Sequence, residues 1–197
     1  MDGMLDVVPW VLVIVRLASE PSRYRVAVWR ELRRAGAVPV APGVWTVPAT
    51  PVFLSAVDRA AALARRGGGD VAVLDVTARD EGSESVLRGE FTAVREQEWA
   101  EFVDDCGKFE VEIAKEVRTS KFTLAELEEE EQGLERLRRW YRDLKARDVL
   151  ELPAAVDAEQ RLKGCAEVLE DYADRVYRSV HGRDPAGPEH GVGASDA

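Results

Sequence analysis

Histidine is scarce in this chain, with two residues, His181 and His190, among 197. Because both stand near the C-terminus, the rest of the sequence offers no Ser/His/Asp or Cys/His set for nucleophilic catalysis. Carboxylate-bridged metal bundles combine Glu with a Glu-x-x-His motif, which is also missing. We therefore expect no enzymatic activity, no bound metal and no cofactor.

Cysteine and long apolar runs are equally rare. Two cysteines, Cys106 and Cys165, cannot provide a disulfide framework for a chain of this length, which indicates a reducing compartment. No run reaches the ~18 apolar residues of a membrane-spanning helix. The apolar run Val7–Val15 follows acidic residues and is interrupted by Pro9, unlike a signal peptide. These features predict a cytoplasmic protein without a membrane partner.

Charge is distributed unevenly along the chain. The net charge of −10 argues against non-specific coating of nucleic acid, which needs excess Lys and Arg. Residues 1–79 contain 10 Lys or Arg against 7 Asp or Glu, whereas residues 80–197 contain 17 against 30. Together with a change in composition, this predicts one domain over residues 10–79 and a second over residues 84–181. Residues 182–197, rich in Gly and Pro, are expected to form a disordered tail.

The first domain has the pattern of an α+β fold. Strands are predicted over Trp10–Leu17, Ala37–Ala41, Val44–Val47 and Asp70–Thr77. One helix begins near Pro21 and ends at Gly36, and another begins at Pro51 and ends at Gly67–Gly69. The resulting order βαββαβ predicts a ferredoxin-like domain, with one antiparallel sheet and both helices on one face.

The second domain reads as a three-helix bundle, because apolar residues recur every three or four positions. Cys106 and Cys165 lie on these apolar stripes, where buried inert thiols are expected and a redox pair is the alternative. The acidic residues of the helices are expected to form a solvated face. They are Glu98, Glu101, Asp105, Glu112, Glu116, Glu126 and Glu128–Glu131.

The most distinctive feature of the first domain is its arginine-rich helix. At ~100° per residue, Arg23, Arg30 and Arg34 fall on one face, opposite Val28 and Leu32. Arg25 and Arg33 flank that face, and the five guanidinium groups are candidate DNA phosphate contacts. The alternative is a solvated face that pairs with the acidic helices.

Two further features of this domain have alternative interpretations. Trp29 and Trp45 are expected to pack in the core, with base stacking as the alternative. Arg16, Ser22 and Arg23 form a candidate oxyanion site where the first strand ends and the first helix begins. Structural or DNA-contacting roles are the alternative for these arginines.

Several short motifs carry a resemblance to a known family. Ser22-Arg23, Trp29-Arg30, Gly36-Ala37 and Gly43-Val44-Trp45 occur in a segment that resembles ChrB, a family of bacterial chromate resistance regulators, and more distantly PaaX-type repressors. Lys121–Trp140 and Arg175-Val176-Tyr177 extend the likeness over roughly residues 10–180. We expect no PaaX-type winged helix ahead of the first strand. Many ChrB proteins continue into a further C-terminal domain, and signal reception by such a domain is the alternative to chromate binding at Arg16 and Arg23.

The resemblance implies a transcriptional regulator of chromate resistance genes. We expect it to bind promoter DNA as a homodimer through the arginine-rich helix, and the sequence leaves direct chromate binding open. The alternative is a non-enzymatic protein-interaction or oligomerisation module that does not bind DNA.

Overall fold

A computed structural model describes residues 9–18 and 20–182. Within this part, four strands and five helices confirm the predicted mixed α+β class. The elements are β1 (Trp10–Arg16), α1 (Ser22–Ala35), β2 (Val38–Ala41), β3 (Val44–Pro48), α2 (Pro51–Arg66), β4 (Asp70–Val76), α3 (Glu81–Arg118), α4 (Leu124–Arg147) and α5 (Pro153–His181). Of the predicted tail, residues 182–197, Gly182 is described and the other residues lie outside the described part of the chain.

The four strands form one sheet in the order β2-β3-β1-β4, and every neighbouring pair is antiparallel. In the centre of the sheet, Val13 of β1 lies opposite Trp45 of β3 and Val73 of β4. The pairing of β2 with β3 is irregular between Pro39 and Ala41. The edges of the sheet are therefore a short, interrupted β2 and a seven-residue β4.

Local sequence signals account for the ends of α1 and α2. Gly36 adopts φ 86°, a left-handed conformation that glycine tolerates best, and its N–H donates to the carbonyl of Arg33. Pro51 occupies the first turn of α2, where a missing N–H costs little. Gly67 follows the last residue of α2, so the predicted helix-terminating role of the glycine run is confirmed.

The chain divides into two compact units. The first comprises residues 1–104 and 139–159, and the second comprises residues 105–138 and 160–197. The predicted domains, 10–79 and 84–181, follow the change from strands to helices, whereas this division groups parts of α3, α4 and α5 with the sheet. The two domain ranges remain a prediction.

The core of the first unit lies between the sheet and its helices. Val11 and Val13 of β1 are buried together with Val28 and Leu32 of α1. At the N-terminal end of β1, the indole of Trp10 meets Phe91 of α3 edge to face, with ring centroids 5.8 Å apart. The same Phe91 ring meets Phe53 of α2 at 5.7 Å, which ties α2 and α3 to the start of β1.

The long helices α3, α4 and α5 contain 38, 24 and 29 residues. All three alternate apolar stripes with charged residues, as expected for helices that bury one face. Within residues 9–18 and 20–182, no helix combines the length and apolar character needed to cross a membrane.

The core of the second unit is formed by the predicted apolar stripes. The buried stripe residues are Cys106, Phe109, Ile113, Leu134, Leu137, Cys165, Leu169, Tyr172 and Val176. The hydroxyl of Tyr172 donates to the backbone carbonyl of Lys121 over 2.6 Å, which joins α5 to the α3–α4 loop.

Two of the predicted solvated carboxylates are buried instead. Glu116 is 1% exposed and Glu130 is 8% exposed. Lys121 contacts Glu116 at 3.3 Å, which provides the buried charge with a cation. Burial raises the pKa of Glu130, and repulsion from Glu112 and other nearby carboxylates raises it further.

The raised pKa of Glu130 predicts a pH-dependent effect of Glu130→Gln. Because folding disfavours the ionised carboxyl, the cost is absent well below the ordinary glutamate pKa of 4.5 and develops as pH rises through the folded-state pKa. Glu130→Gln should therefore increase the free energy of unfolding at pH 7, and the gain should shrink as pH falls through the raised folded-state pKa and vanish well below the ordinary glutamate pKa. Urea denaturation at several pH values measures this difference.

The matched control is Glu128→Gln, which removes the same charge from an exposed position two residues away that does not contribute to the raised pKa of Glu130. This variant should change stability little at any of these pH values. Equal gains from both substitutions would indicate a general net-charge effect and contradict the assigned role of burial.

Candidate functional site

The five predicted phosphate-contacting arginines all lie on the exposed part of α1. Val28 and Leu32 are buried in the core and fix the orientation of the helix. The helical repeat then places Arg23, Arg30 and Arg34 within ~40° of one another on the side away from the sheet. Arg25 and Arg33 are exposed as well, so the structure presents the five guanidinium groups to solvent. They are Arg23, Arg25, Arg30, Arg33 and Arg34.

None of the five arginines forms an ion pair with a carboxylate in the described part of the chain. Glu31 of the same helix instead pairs with Arg59 of α2, at 2.6 Å between Oε1 and Nε. That pair joins α1 to α2, so the arginine face has no carboxylate partner within residues 9–18 and 20–182.

Trp29 corrects the prediction that this residue packs in the core, because it is 52% exposed. The helix turns by ~100° from Val28 to Trp29, which moves the indole out of the buried stripe. The guanidinium of Arg33 stands over the Trp29 ring at 5.7 Å, a cation–π geometry. Trp45 is 7% exposed, so its predicted core position is confirmed.

An apolar groove of about 310 Å³ adjoins Trp29. Its other lining residues are Val15, Leu17, Arg25, Val28, Gly43 and Trp45. The N–H of Val15 donates to the carbonyl of Gly43 over 2.7 Å, which holds the β2–β3 turn against the end of β1. Gly43 has φ 76°, as the tight turn requires, and a Cβ there would lie 2.9 Å from the Val15 carbonyl oxygen.

Two arginines from distant helices bind the C-terminal end of α1. Arg95 Nη1 donates to the Gly36 carbonyl at 2.9 Å, and Arg147 Nη1 donates to the Arg34 carbonyl at 2.7 Å. Glu98 lies between them, 3.0 Å from Arg95 Nε and 3.6 Å from Arg147 Nη2. These bonds satisfy carbonyls that a helix end leaves unpaired and place positive charge at its negative pole.

Arg95 is 1% exposed, and this burial lowers the pKa of its guanidinium to about 10. Arg95 was not among the residues predicted from the sequence, although it occupies an apolar stripe position four residues after Phe91 and seven before Phe102. A cation on an apolar stripe is a signal for a buried, partnered charge.

The candidate oxyanion residues lie at the end of β1 and at the N-terminal end of α1, and all three are exposed. Arg16 is the last residue of β1 and lies opposite Asp70 of β4. Ser22 and Arg23 begin α1, whose N-cap residue, Pro21, provides no side-chain hydrogen bond. Their role in anion binding remains a prediction.

Cys106 and Cys165 are both buried and free. The thiol of Cys165 donates to the Cys106 carbonyl over 3.6 Å. The pKa of the Cys165 thiol is raised, mainly by its hydrogen-bond interaction with Cys106 and to a smaller extent by burial. Burial is as predicted, and the raised pKa disfavours the reactive thiolate at Cys165. Across the described residues, no group of three or more His, Cys, Asp or Glu is arranged to hold a metal ion.

Comparison with known proteins identifies one family. A family model described as "Protein ChrB, N-terminal" matches residues 25–183. The match includes most of α1, Trp29 and Trp45, and all three long helices. Neither the curated proteins nor the solved structures contain a significant match.

The contacts of Arg95 predict a large stability cost for Arg95→Met. The substitution keeps a long unbranched side chain but removes the donor to Gly36 and one of the two cations that contact Glu98. Breaking a buried ion pair in this way costs about 3–5 kcal/mol of unfolding free energy. Urea denaturation of the full chain measures the loss.

Arg79→Met serves as the control, because Arg79 is exposed in the loop before α3. It should change stability by less than about 0.5 kcal/mol. A similarly small effect of Arg95→Met would show that the bonds to α1 contribute little to the fold.

Proposed function

Since this chain belongs to the ChrB family, we propose that it is a DNA-binding transcriptional regulator of chromate resistance genes. In this proposal, α1 contacts promoter DNA from a ferredoxin-like domain, an arrangement supported by the strand order β2-β3-β1-β4. The resemblance to bacterial chromate resistance regulators supports the regulatory role, and the exposed arginines supply the chemistry of contact.

The observation that carries this proposal is the arginine face of α1, which has no carboxylate partner among the described residues. Arg23 and Arg34 are eleven residues apart, which corresponds to roughly 16 Å along a helix axis. Guanidinium groups over that length can donate bidentate hydrogen bonds to several phosphate oxygens of one DNA backbone. Phosphate contacts orient a protein on DNA, whereas sequence is read by contacts with base edges.

The negative net charge of the chain, −10, is compatible with this function if contact is confined to a patch. The acidic residues are concentrated after residue 79, whereas α1 contains five arginines and one glutamate. A homodimer would present two such helices and contact twice as many phosphates. We therefore propose promoter binding by a dimer, with affinity that falls steeply as salt increases.

A protein-interaction module without DNA binding is the second candidate function. The observation that favours it is the exposed Trp29 beside an apolar groove, since aromatic side chains are enriched at protein interfaces. The salt dependence of DNA binding distinguishes the two functions. A DNA-binding protein releases counterions from the phosphates that it contacts, whereas an interaction module does not bind these phosphates.

The proposal predicts that replacing Arg23, Arg30 and Arg34 with Ala weakens binding to DNA upstream of the gene. Each lost phosphate contact should reduce the slope of log affinity against log salt by about 0.9. The expected loss for the triple variant is therefore about 2.7 units of slope. Fluorescence anisotropy over a salt series measures both affinity and slope.

The matched control replaces three other exposed arginines, Arg118, Arg136 and Arg175, with Ala. It alters the net charge equally and should leave the slope nearly unchanged. If both triple variants lose the same affinity and slope, binding depends on the overall charge of the protein and not on α1. Absence of any DNA binding by the wild-type chain at low salt would favour the interaction module.

We also propose that chromate is not bound selectively at Arg16, Ser22 and Arg23. All three are exposed, so water competes with their hydrogen bonds to a small dianion. Calorimetric titration with chromate should give no more heat than titration with sulfate, which has the same charge and shape. A chromate signal that sulfate does not reproduce, and that Arg23→Ala abolishes, would overturn this view.

A further inference from the structure

The groove beside Trp29 combines features that a nucleobase requires. We propose that Trp29 and this groove bind one unpaired base of DNA, while Arg25 contacts its phosphate. This base site rests on the proposed DNA-binding function. It specifies that this part of α1 binds single-stranded DNA. It differs from the arginine face, which contacts only the sugar-phosphate backbone.

The composition of the groove suits a nucleobase. The half-buried Val15 and Leu17 and the exposed Trp29 provide an apolar surface against which the flat face of a base can be desolvated. Val28 and Trp45 line the groove from the core side. Its volume of about 310 Å³ is at the lower end of the range for small-molecule sites, which suits one ring system. No carboxylate lines the groove, so an anionic nucleotide meets no like charge there.

The exposure of Trp29 provides a surface for stacking. A tryptophan that is 52% exposed leaves much of its ring accessible, and base stacking on an aromatic ring is a principal source of affinity for single strands. Arg33 stands over the ring at 5.7 Å, and Arg25 stands one helical turn before Trp29. Two cations that attract phosphate therefore lie near the indole, one over its ring and one in the lining of the groove.

Charge complementarity selects a nucleotide over an apolar side chain of a protein partner. Arg25, Trp29 and Arg33 follow one another at four-residue intervals, and the face formed by Arg23, Arg30 and Arg34 continues the exposed arc. A backbone that runs along these arginines therefore brings its bases to the groove. Bases of an intact duplex are stacked on their neighbours, so the groove can accept a base only from an unpaired segment.

The test compares the full chain on two fluorescent probes, oligothymidylate and an abasic oligonucleotide of the same length. Both probes carry the same phosphates, but the abasic probe has no ring to stack. We expect the wild-type chain to bind oligothymidylate about tenfold more tightly than the abasic probe. Trp29→Ala should abolish this ratio, and Trp29→Phe should retain most of it.

The comparison variant has Arg23, Arg30 and Arg34 replaced with Ala. It should weaken binding to both probes equally and therefore preserve the ratio of the two affinities. Thermal unfolding of each variant confirms that it folds. An unchanged ratio in Trp29→Ala would overturn the proposal. A shift in the sedimentation of Trp29→Ala relative to wild type would assign the groove to a second copy of the chain and also overturn it.

The experiment separates this inference from the proposed function. Salt-dependent binding to duplex DNA with equal affinities for the two single-stranded probes would refute only the base site. Absence of binding to duplex and to both probes would refute both.

Discussion

The position of α1 depends on the bonds that Arg95 and Arg147 make to its C-terminal carbonyls. A helix end exposes several carbonyls with no partner in the helix, and here two of them accept from guanidinium groups 59 and 113 residues away in sequence. Gly36 is required at this point for two reasons. It adopts φ 86°, and an added Cβ would collide with the guanidinium of Arg95.

This arrangement separates the arginines of the first unit by role. Arg95 and Arg147 are used internally, and Glu98 offsets part of their charge. Arg59 is also paired, with Glu31. The five arginines on the exposed arc of α1 have no carboxylate partner among the described residues. In the part of the chain that the structure describes, five cations without a carboxylate partner are thus clustered on one helix, although the chain as a whole is acidic.

The sequence predicted those features that depend on local signals. Proline and glycine positions located the ends of α1 and α2, and β-branched runs located the strands, because these residues restrict the backbone wherever they occur. The exposure of Arg23, Arg30 and Arg34 followed from helical periodicity in the same way. Trp29 was misplaced because it stands at the edge of the apolar stripe, where its apolar character alone favoured burial.

Buried charges were beyond prediction because their partners are distant along the chain or depend on how helices meet. Arg95 finds the Gly36 carbonyl 59 residues away, and its position on an apolar stripe was the only local indication. Glu116 resembles its solvated neighbours in sequence, yet it is buried and contacts Lys121 from the α3–α4 loop.

The irregular β2 strand has a consequence for self-association. An exposed edge strand is a template to which another chain can add a strand and begin to aggregate. Pro39 has no backbone N–H, and the register shift between Pro39 and Ala41 interrupts the ladder, so this edge is a poor template. At the opposite edge, Asp70 and Asp75 place negative charges on β4. Growth of the sheet from either side is therefore disfavoured, which protects a Val-rich domain from forming fibrils.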